Sequence, residues 1–325
     1  MRIFKNGVIL CITCFWAAGA IAQTDENLLL NPWEKSETIE ARADGYLFPS
    51  ASLSNQAGSL KLFEVESAGR LRFDLGYELN PTVGYDLTYL NLEQHRPNPS
   101  GPRLPHQLTD LSIGFGSPIV KIGDRGFLAA TGALGYSGDE AFADGRGFYG
   151  KGSIMYGREL KPGTNLLFIL DYNGNRGFLP DVPLPAFAYS SKLDEHLAYV
   201  VGFPVNSLLW NPTPRTKVTV NWYIPDSLSV QAAWELDKHI GLFTGYDQRR
   251  DIFRAQEIPG DKRLFFHEQR LEAGVRWKTK GLRLEIAGGY AFARSFDDGF
   301  DSRNVNRVAR MSDEPFVRFS IAFSR

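Results

Sequence analysis

The chain has 325 residues, 22% charged and 43% hydrophobic, with a formal net charge of −1. Without clustered Lys and Arg it lacks the electrostatic footprint of a nucleic-acid partner, and after residue 22 no apolar run approaches the ~18–20 residues of a spanning helix. Both cysteines, Cys11 and Cys14, fall in the leader, so the rest of the chain offers no disulfide, thiolate metal site or Cys nucleophile.

Residues 1–22 carry Arg2 and Lys5, an apolar run from Val8 to about Ala18, and Ala20-Ile21-Ala22 before Gln23. This is the layout of a cleaved secretory signal peptide. Cys14 is followed by Phe15-Trp16 and lacks the small-residue context of a lipoprotein site. Residues 23–55 show no period of two and are expected to form an N-terminal leader, periplasmic or lumenal. The folded unit is expected over 56–325.

From residue 70, segment after segment alternates apolar and polar residues, the pattern of two-faced strands. In RLRFDLGYEL the apolar set is Leu71, Phe73, Leu75, Tyr77 and Leu79; after Asn80-Pro81 come Val83, Tyr85, Leu87 and Tyr89. The pattern recurs through Leu166/Phe168/Leu170, Val218/Val220/Trp222 and Leu271/Ala273/Val275/Trp277. Past Thr279-Lys280-Gly281 it continues in Leu282/Leu284/Ile286, and it ends in Val317/Phe319/Ile321/Phe323.

A soluble β-sandwich and an outer-membrane barrel share this alternation with opposite faces wetted. Segments of about ten residues, Gly, Ala and Ser mixed with charges on the polar face, and aromatics toward strand ends favour the membrane form. The expected fold is all-β: an antiparallel transmembrane β-barrel of roughly 12 strands, with 10–14 allowed. The terminal strand then closes the ring on the first, removing an exposed edge, and it resembles the assembly signal read by the barrel insertion machinery, departing from it in that Ser324-Arg325 follow the last aromatic, Phe323. Asn80-Pro81, Pro225-Asp226 and Thr279-Lys280-Gly281 are expected as periplasmic turns. Residues 93–106, 137–147, 173–195, 248–263 and 296–313 are expected as outer loops.

FLPDVPLPAFAYSS, LAYVVGFPVNSLLWNP, HEQRLEAGVRWK and GGYAFARSF together resemble a family of bacterial outer-membrane-type β-barrels known as a domain of unknown function. The resemblance spans about residues 60–325 and rests on Pro183, Pro185, Gly202, Pro204, Glu268, Arg270, Gly274, Gly289, Tyr290 and Arg294. It implies a barrel in a Gram-negative envelope and no known reaction.

The candidate functional residues lie on the polar face: Glu268, Arg270, Glu272, Arg276, Arg283, Glu285 and Arg318, expected to line the lumen. There they would either pair across the wall as a plug or set which solute passes. Arg294 shares the parity of Tyr290 and Phe292 and is placed at the rim. The Pro-rich stretch 178–190, with Pro180, Pro183, Pro185 and Phe187, is stiff enough to constrict the lumen, or else packs over the rim. No catalytic residue is assigned. The five histidines show no metal-ligand spacing, Asp237 and His239 read first as a polar hairpin, and Asp297, Asp298 and Asp301 read as a solvated acidic loop. No cofactor or metal is expected; the partners expected are outer-membrane lipid and a small solute. A soluble β-sandwich binding protein and a barrel hydrolase are the alternatives.

Overall fold

A computed structural model describes residues 38–53, 59–73, 80–95, 104–225, 227–256, 258 and 261–325. Its strands are β1 (Ile39–Ser52), β2 (Ser59–Arg72), β3 (Thr82–His95), β4 (Gln107–Ile122), β5 (Gly126–Gly138), β6 (Phe148–Lys161), β7 (Thr164–Asn173), β8 (Leu184–Lys192) and β9 (Leu197–Phe203). They continue as β10 (Val205–Thr213), β11 (Thr216–Tyr223), β12 (Ser227–Glu235), β13 (Ile240–Phe253), β14 (Arg263–Thr279), β15 (Leu282–Gly299), β16 (Val305–Arg310) and β17 (Glu314–Ser324). Each pairs antiparallel with its chain neighbour around the ring except β16 and β17, which both pair with β15, and β17 pairs with β1 to close it. The lower part of β15 pairs with β17 and its upper part with β16. Those two strands therefore make one interrupted stave, and the barrel has 16 staves among the described residues, not about twelve.

Two features hid the missing staves. Outward positions of β1 are Ala41, Ala43 and Gly45, which pair with Phe323, Ile321 and Phe319 of β17. Small residues there make room for large ones at the closing seam, so β1 carries no apolar alternation of its own. The expectation of a leader reaching residue 55 is corrected from residue 39 onward; the signal peptide, the rest of the leader and Leu75, Tyr77 and Leu79 lie outside the described residues. The second feature is brevity: β7 to β12 have 10, 9, 7, 9, 8 and 9 residues, against 14 to 18 in β13, β14 and β15. The wall is low on one flank and tall on the other.

The start of β1 and the end of β17 lie at one end of the barrel, where the backbone N–H of Ile39 donates to Arg325 O at 2.9 Å. The β6–β7 and β14–β15 turns at this end are tight, and Gly163 and Gly281 sit in them at φ 77°, a region that favours glycine. The Pro225 turn, expected at this end, lies at the opposite one: the low flank carries tight turns at both ends, so turn length does not report the side. Residues 173–195, expected as a loop, contain β8; 248–263 and 296–313 likewise contain strand.

In the lower barrel the apolar residues face out and the polar ones in. Ile113, Leu134, Ile154, Phe168, Leu242, Leu271, Val275, Ile286, Phe319 and Ile321 form an exposed belt. On the tall flank the faces then exchange character. Inward positions become Phe48, Leu60, Leu62, Leu90, Leu92, Leu108, Phe253, Leu264, Phe266 and Phe296, all buried in one cluster. Outward positions at the same height are Lys61, Asn91, Glu93, Gln248, Arg250, His267 and Gln269. The distal end of β13 also reaches across to β4 and β5: Ser137 Oγ donates to Ile252 O at 3.3 Å, and the Arg254 N–H donates to Ser137 Oγ at 3.3 Å. A soluble-type dry core thus stands on a lower barrel of the inverse arrangement, polar inside and apolar outside.

Candidate lumenal site

Period-two alternation carries the seven charged residues singled out in the sequence to the inward face, and the register of β14, β15 and β17 brings most of them together. Arg318, 2% exposed, stands at the centre of the lower group. Its guanidinium donates to Asp44 at 2.8 Å, to both oxygens of Glu272 at 2.9 Å and to Glu285 at 3.0 Å. Arg276 donates to Glu285 at 2.6 Å and to Gln231 at 3.1 Å. Arg283 lies 3.5 Å from Glu285, and Arg42 also pairs with Asp44.

Above it, a second group joins β13 and β14 to β2. Arg249 pairs with Glu64, Glu66 and, at 2.7 Å, with Asp251. Arg270 pairs with Glu64 and Glu268. Arg294 completes the chain through Glu268 at 2.6 Å and Glu314. Its placement corrects the expectation of a rim position: Arg294 is 0% exposed and points inward. Ala293 adopts φ 53°, and the β14–β15 register shifts between His267 and Gln269. This bulge inserts one residue and exchanges the faces beyond it.

The arginines are also held by rings. The Arg270 guanidinium lies 4.0 Å from the Tyr46 ring centre and that of Arg294 4.4 Å from Phe48, so cation–π contact joins the ionic layer to the dry core above. Interior glycines seat aromatics in turn: a Cβ on Gly289 would overlap Phe316, and one on Gly274 would overlap Phe243.

Between the β1–β3 and β12–β14 walls the charged layer bounds a cavity of about 60 Å³. Asp44, Glu66, Asp86, Asp247, Glu272, Arg249, Arg270 and Arg318 line it with Thr88, Ser229 and Gln231. A polar space of that size holds a few waters. Across the lumen the inward faces of β5 to β10 hold a small apolar cluster, Ala129, Met155, Leu167, Ala188, Ala198 and Val200, interleaved with buried Ser153, Asn165, Ser190 and Ser207.

The sequence reading missed half of the charged layer: Arg42, Asp44, Glu64, Glu66, Arg249, Asp251 and Glu314. Glu64 and Glu66 have the same period-two signal as Glu268 and Arg270, but they precede residue 70, where the alternation becomes long enough to notice. Nothing local announces that they meet Arg249.

Of the two placements left open for the Pro-rich stretch, constriction of the lumen is not the one its strand residues adopt. Phe187 is 54% exposed and faces outward in β8 beside Phe168, with Pro185 on the same face. Pro180 is buried in the connecting loop and Pro183 exposed. The part that does cross the mouth is upstream: Asn175 Nδ2 donates to Asp110 Oδ2 at 2.6 Å and to Ile252 O at 3.1 Å, and Gly174 O accepts from Arg254 at 2.6 Å and Arg263 at 2.9 Å.

At the terminal end, Asp237 Oδ1 accepts from the backbone N–H of His239 at 2.6 Å and of Ile240 at 2.8 Å. These bonds hold its carboxyl below the ordinary range, and they cap a turn; His239 Nδ1 lies 3.0 Å from Lys278 O instead. Asp297, Asp298 and Asp301 do not form a solvated loop. Asp297 and Asp298 lie in β15, and the three pair separately with Arg307, Lys262 and Arg303.

No family model matches this chain, and no curated protein does, so the resemblance to a domain of unknown function rests on its own residues. Among solved structures, a Pseudomonas aeruginosa FadL homologue is 10% identical over 89% of this chain and 90% of its own, with a TM-score of 0.46. The Pseudomonas putida toluene transporter TodX is 9% identical over 94% of both chains, at 0.44. An outer membrane channel from Pseudomonas putida F1 is 11% identical over 93% of this chain and all of its own, at 0.39. At such distance the likeness says nothing about what this chain carries.

Proposed function

We propose that this chain is an outer-membrane β-barrel whose lumen passes small solutes through a charge-lined constriction, closed in the conformation described. The outward apolar belt, aromatic toward its edges at Trp210, Trp234, Trp277, Tyr290 and Trp222, supports the membrane placement. The observation that carries the functional reading is the mid-lumen cavity, where acids and arginines from facing walls surround water-sized space as charged rings do in selective pores. Its terminal strand, with four outward apolar residues, suits recognition by the barrel insertion machinery.

A second reading is favoured by the dry core that fills the distal lumen of the tall flank: a plugged barrel with a structural role in the envelope. Planar-bilayer recording of the refolded full chain separates the two. The channel reading expects small, discrete conductance steps that grow in Arg249→Ala, which removes a cation spanning the lumen from β13 to β2. Silence from both proteins, with the heat-dependent gel mobility of a folded barrel retained, favours the structural reading. Recovery as a soluble periplasmic protein without a mobility shift sinks both.

A further inference from the structure

Just above the apolar belt, the outward face of the tall flank carries a polar row across four neighbouring strands, with arginines at its two ends on β13 and β16. Arg250 of β13 pairs in register with His267 of β14, and its Nε donates to the His267 ring, 3.1 Å from Nε2. His267 lies opposite Ser295 of β15, with Nε2 3.4 Å from Asp297 Oδ2. Asp297 also pairs with Arg307 of β16, and Ser295 stands opposite Arg310. Asp297 is 2% exposed, so it anchors the row from behind. Arg307 and Arg310 are exposed, and Arg310 has no ion pair among the described residues. Asp313, in the link to β17, is exposed too, and the patch still carries a positive excess.

Its height follows from the strand. His267 and Trp277 share the outward face of β14, ten residues apart. At ~3.3 Å per residue and a tilt of ~40° they are separated by about 25 Å, the height of an outer-membrane apolar band. With Trp277 at the lower edge of the belt, the row lies in the headgroup layer of the outer leaflet. Four strands ~4.8 Å apart span about 14 Å, wide enough for a headgroup bearing more than one phosphate. Arginine forks match phosphate oxygens in geometry and charge.

We propose that Arg250, Arg307 and Arg310 bind the phosphates of phosphorylated glycolipid headgroups in the outer leaflet. The inference rests on the membrane placement proposed above and adds a lipid site to it. The test titrates the full chain in detergent with diphosphoryl lipid A, with its dephosphorylated counterpart of the same acyl chains, and with inorganic phosphate, reading bound lipid by native mass spectrometry. Heat-dependent gel mobility is read on the same samples. At least tenfold preference for the diphosphoryl lipid is expected, lowered severalfold in Arg310→Ala, whose side chain holds no ion pair among the described residues, and more in the triple Arg250→Ala, Arg307→Ala, Arg310→Ala. Lys61→Ala, a cation at similar height on β2, is expected to change nothing. Equal binding of both lipids, an Arg310→Ala protein that binds like the original, or full displacement by inorganic phosphate would overturn the proposal while the mobility shift upholds the barrel. A soluble chain with no shift would overturn the membrane placement and the lipid site together.

Discussion

Arg318 shows how much of this barrel depends on single charges. Its guanidinium faces three carboxylates, Asp44, Glu272 and Glu285, in a layer with little access to water. Truncation leaves those acids buried and uncompensated, a change that costs ~3–5 kcal/mol in comparable sites. Arg318→Ala is therefore expected to lower the urea midpoint of the refolded barrel strongly, followed by tryptophan fluorescence. Lys61→Ala removes an exposed pair at 3.8 Å from Glu93 and is expected to cost at most ~1 kcal/mol. Glycines divide in the same way. A Cβ on Gly289 meets Leu271 O and the Phe316 ring, whereas one on Gly288 meets nothing within 4 Å. Gly289→Ala should destabilise by about 1–3 kcal/mol, and Gly288→Ala should leave stability unchanged or slightly raised; a barrel insensitive to the first change would contradict the seating of Phe316.

At the scale of the element, the bulge in β15 decides what the tall flank can hold. One residue in the left-handed region, Ala293, turns Arg294 from the face of Tyr290 to the face of Glu268. An alanine there pays ~1–2 kcal/mol in backbone strain, so Ala293→Gly is expected to raise the unfolding midpoint and Ala293→Val to lower it. A reversed order would place the strain elsewhere. Legibility followed the same division. The inward position of Glu268, Arg270, Glu272, Arg276, Arg283, Glu285 and Arg318 was readable because period two is a property of one strand. Arg294 was not, because a bulge leaves no residue-type signature when its special position is alanine. Nor were β1 and β16 readable as barrel wall. The first hides its apolar partner residues on β17, and the second is only half a stave. Long-range pairs such as Arg249 with Glu64 depend on closure of the whole ring, which no local window contains.

For the whole molecule, the exchange of faces explains why the sequence fitted both a sandwich and a barrel. In β3 the outward series Val83, Tyr85, Leu87, Tyr89 gives way to Asn91 and Glu93 while the inward series passes from Asp86 and Thr88 to Leu90 and Leu92. Beyond Cys11 and Cys14, both in the expected signal peptide, the chain has no cysteine, so single-cysteine labels read this boundary directly. A polarity-sensitive dye at Ile286→Cys should emit as in hydrocarbon and at Asn91→Cys as in water, both on folded protein in liposomes. Similar emission at the two positions would contradict a lipid boundary near Tyr89. The uneven wall has a consequence for the membrane itself. Strands of seven to nine residues on the low flank reach only ~18–23 Å at a tilt of ~40°, a few ångströms less than the band such barrels usually present. In the membrane placement proposed above, lipid beside β9 to β11 must compress to meet them, at a cost of a fraction of a kcal/mol per ångström. The barrel therefore carries a dimple in the surrounding leaflet, and that thin sector is where short-chain lipids or another thin-walled protein would relieve the most mismatch.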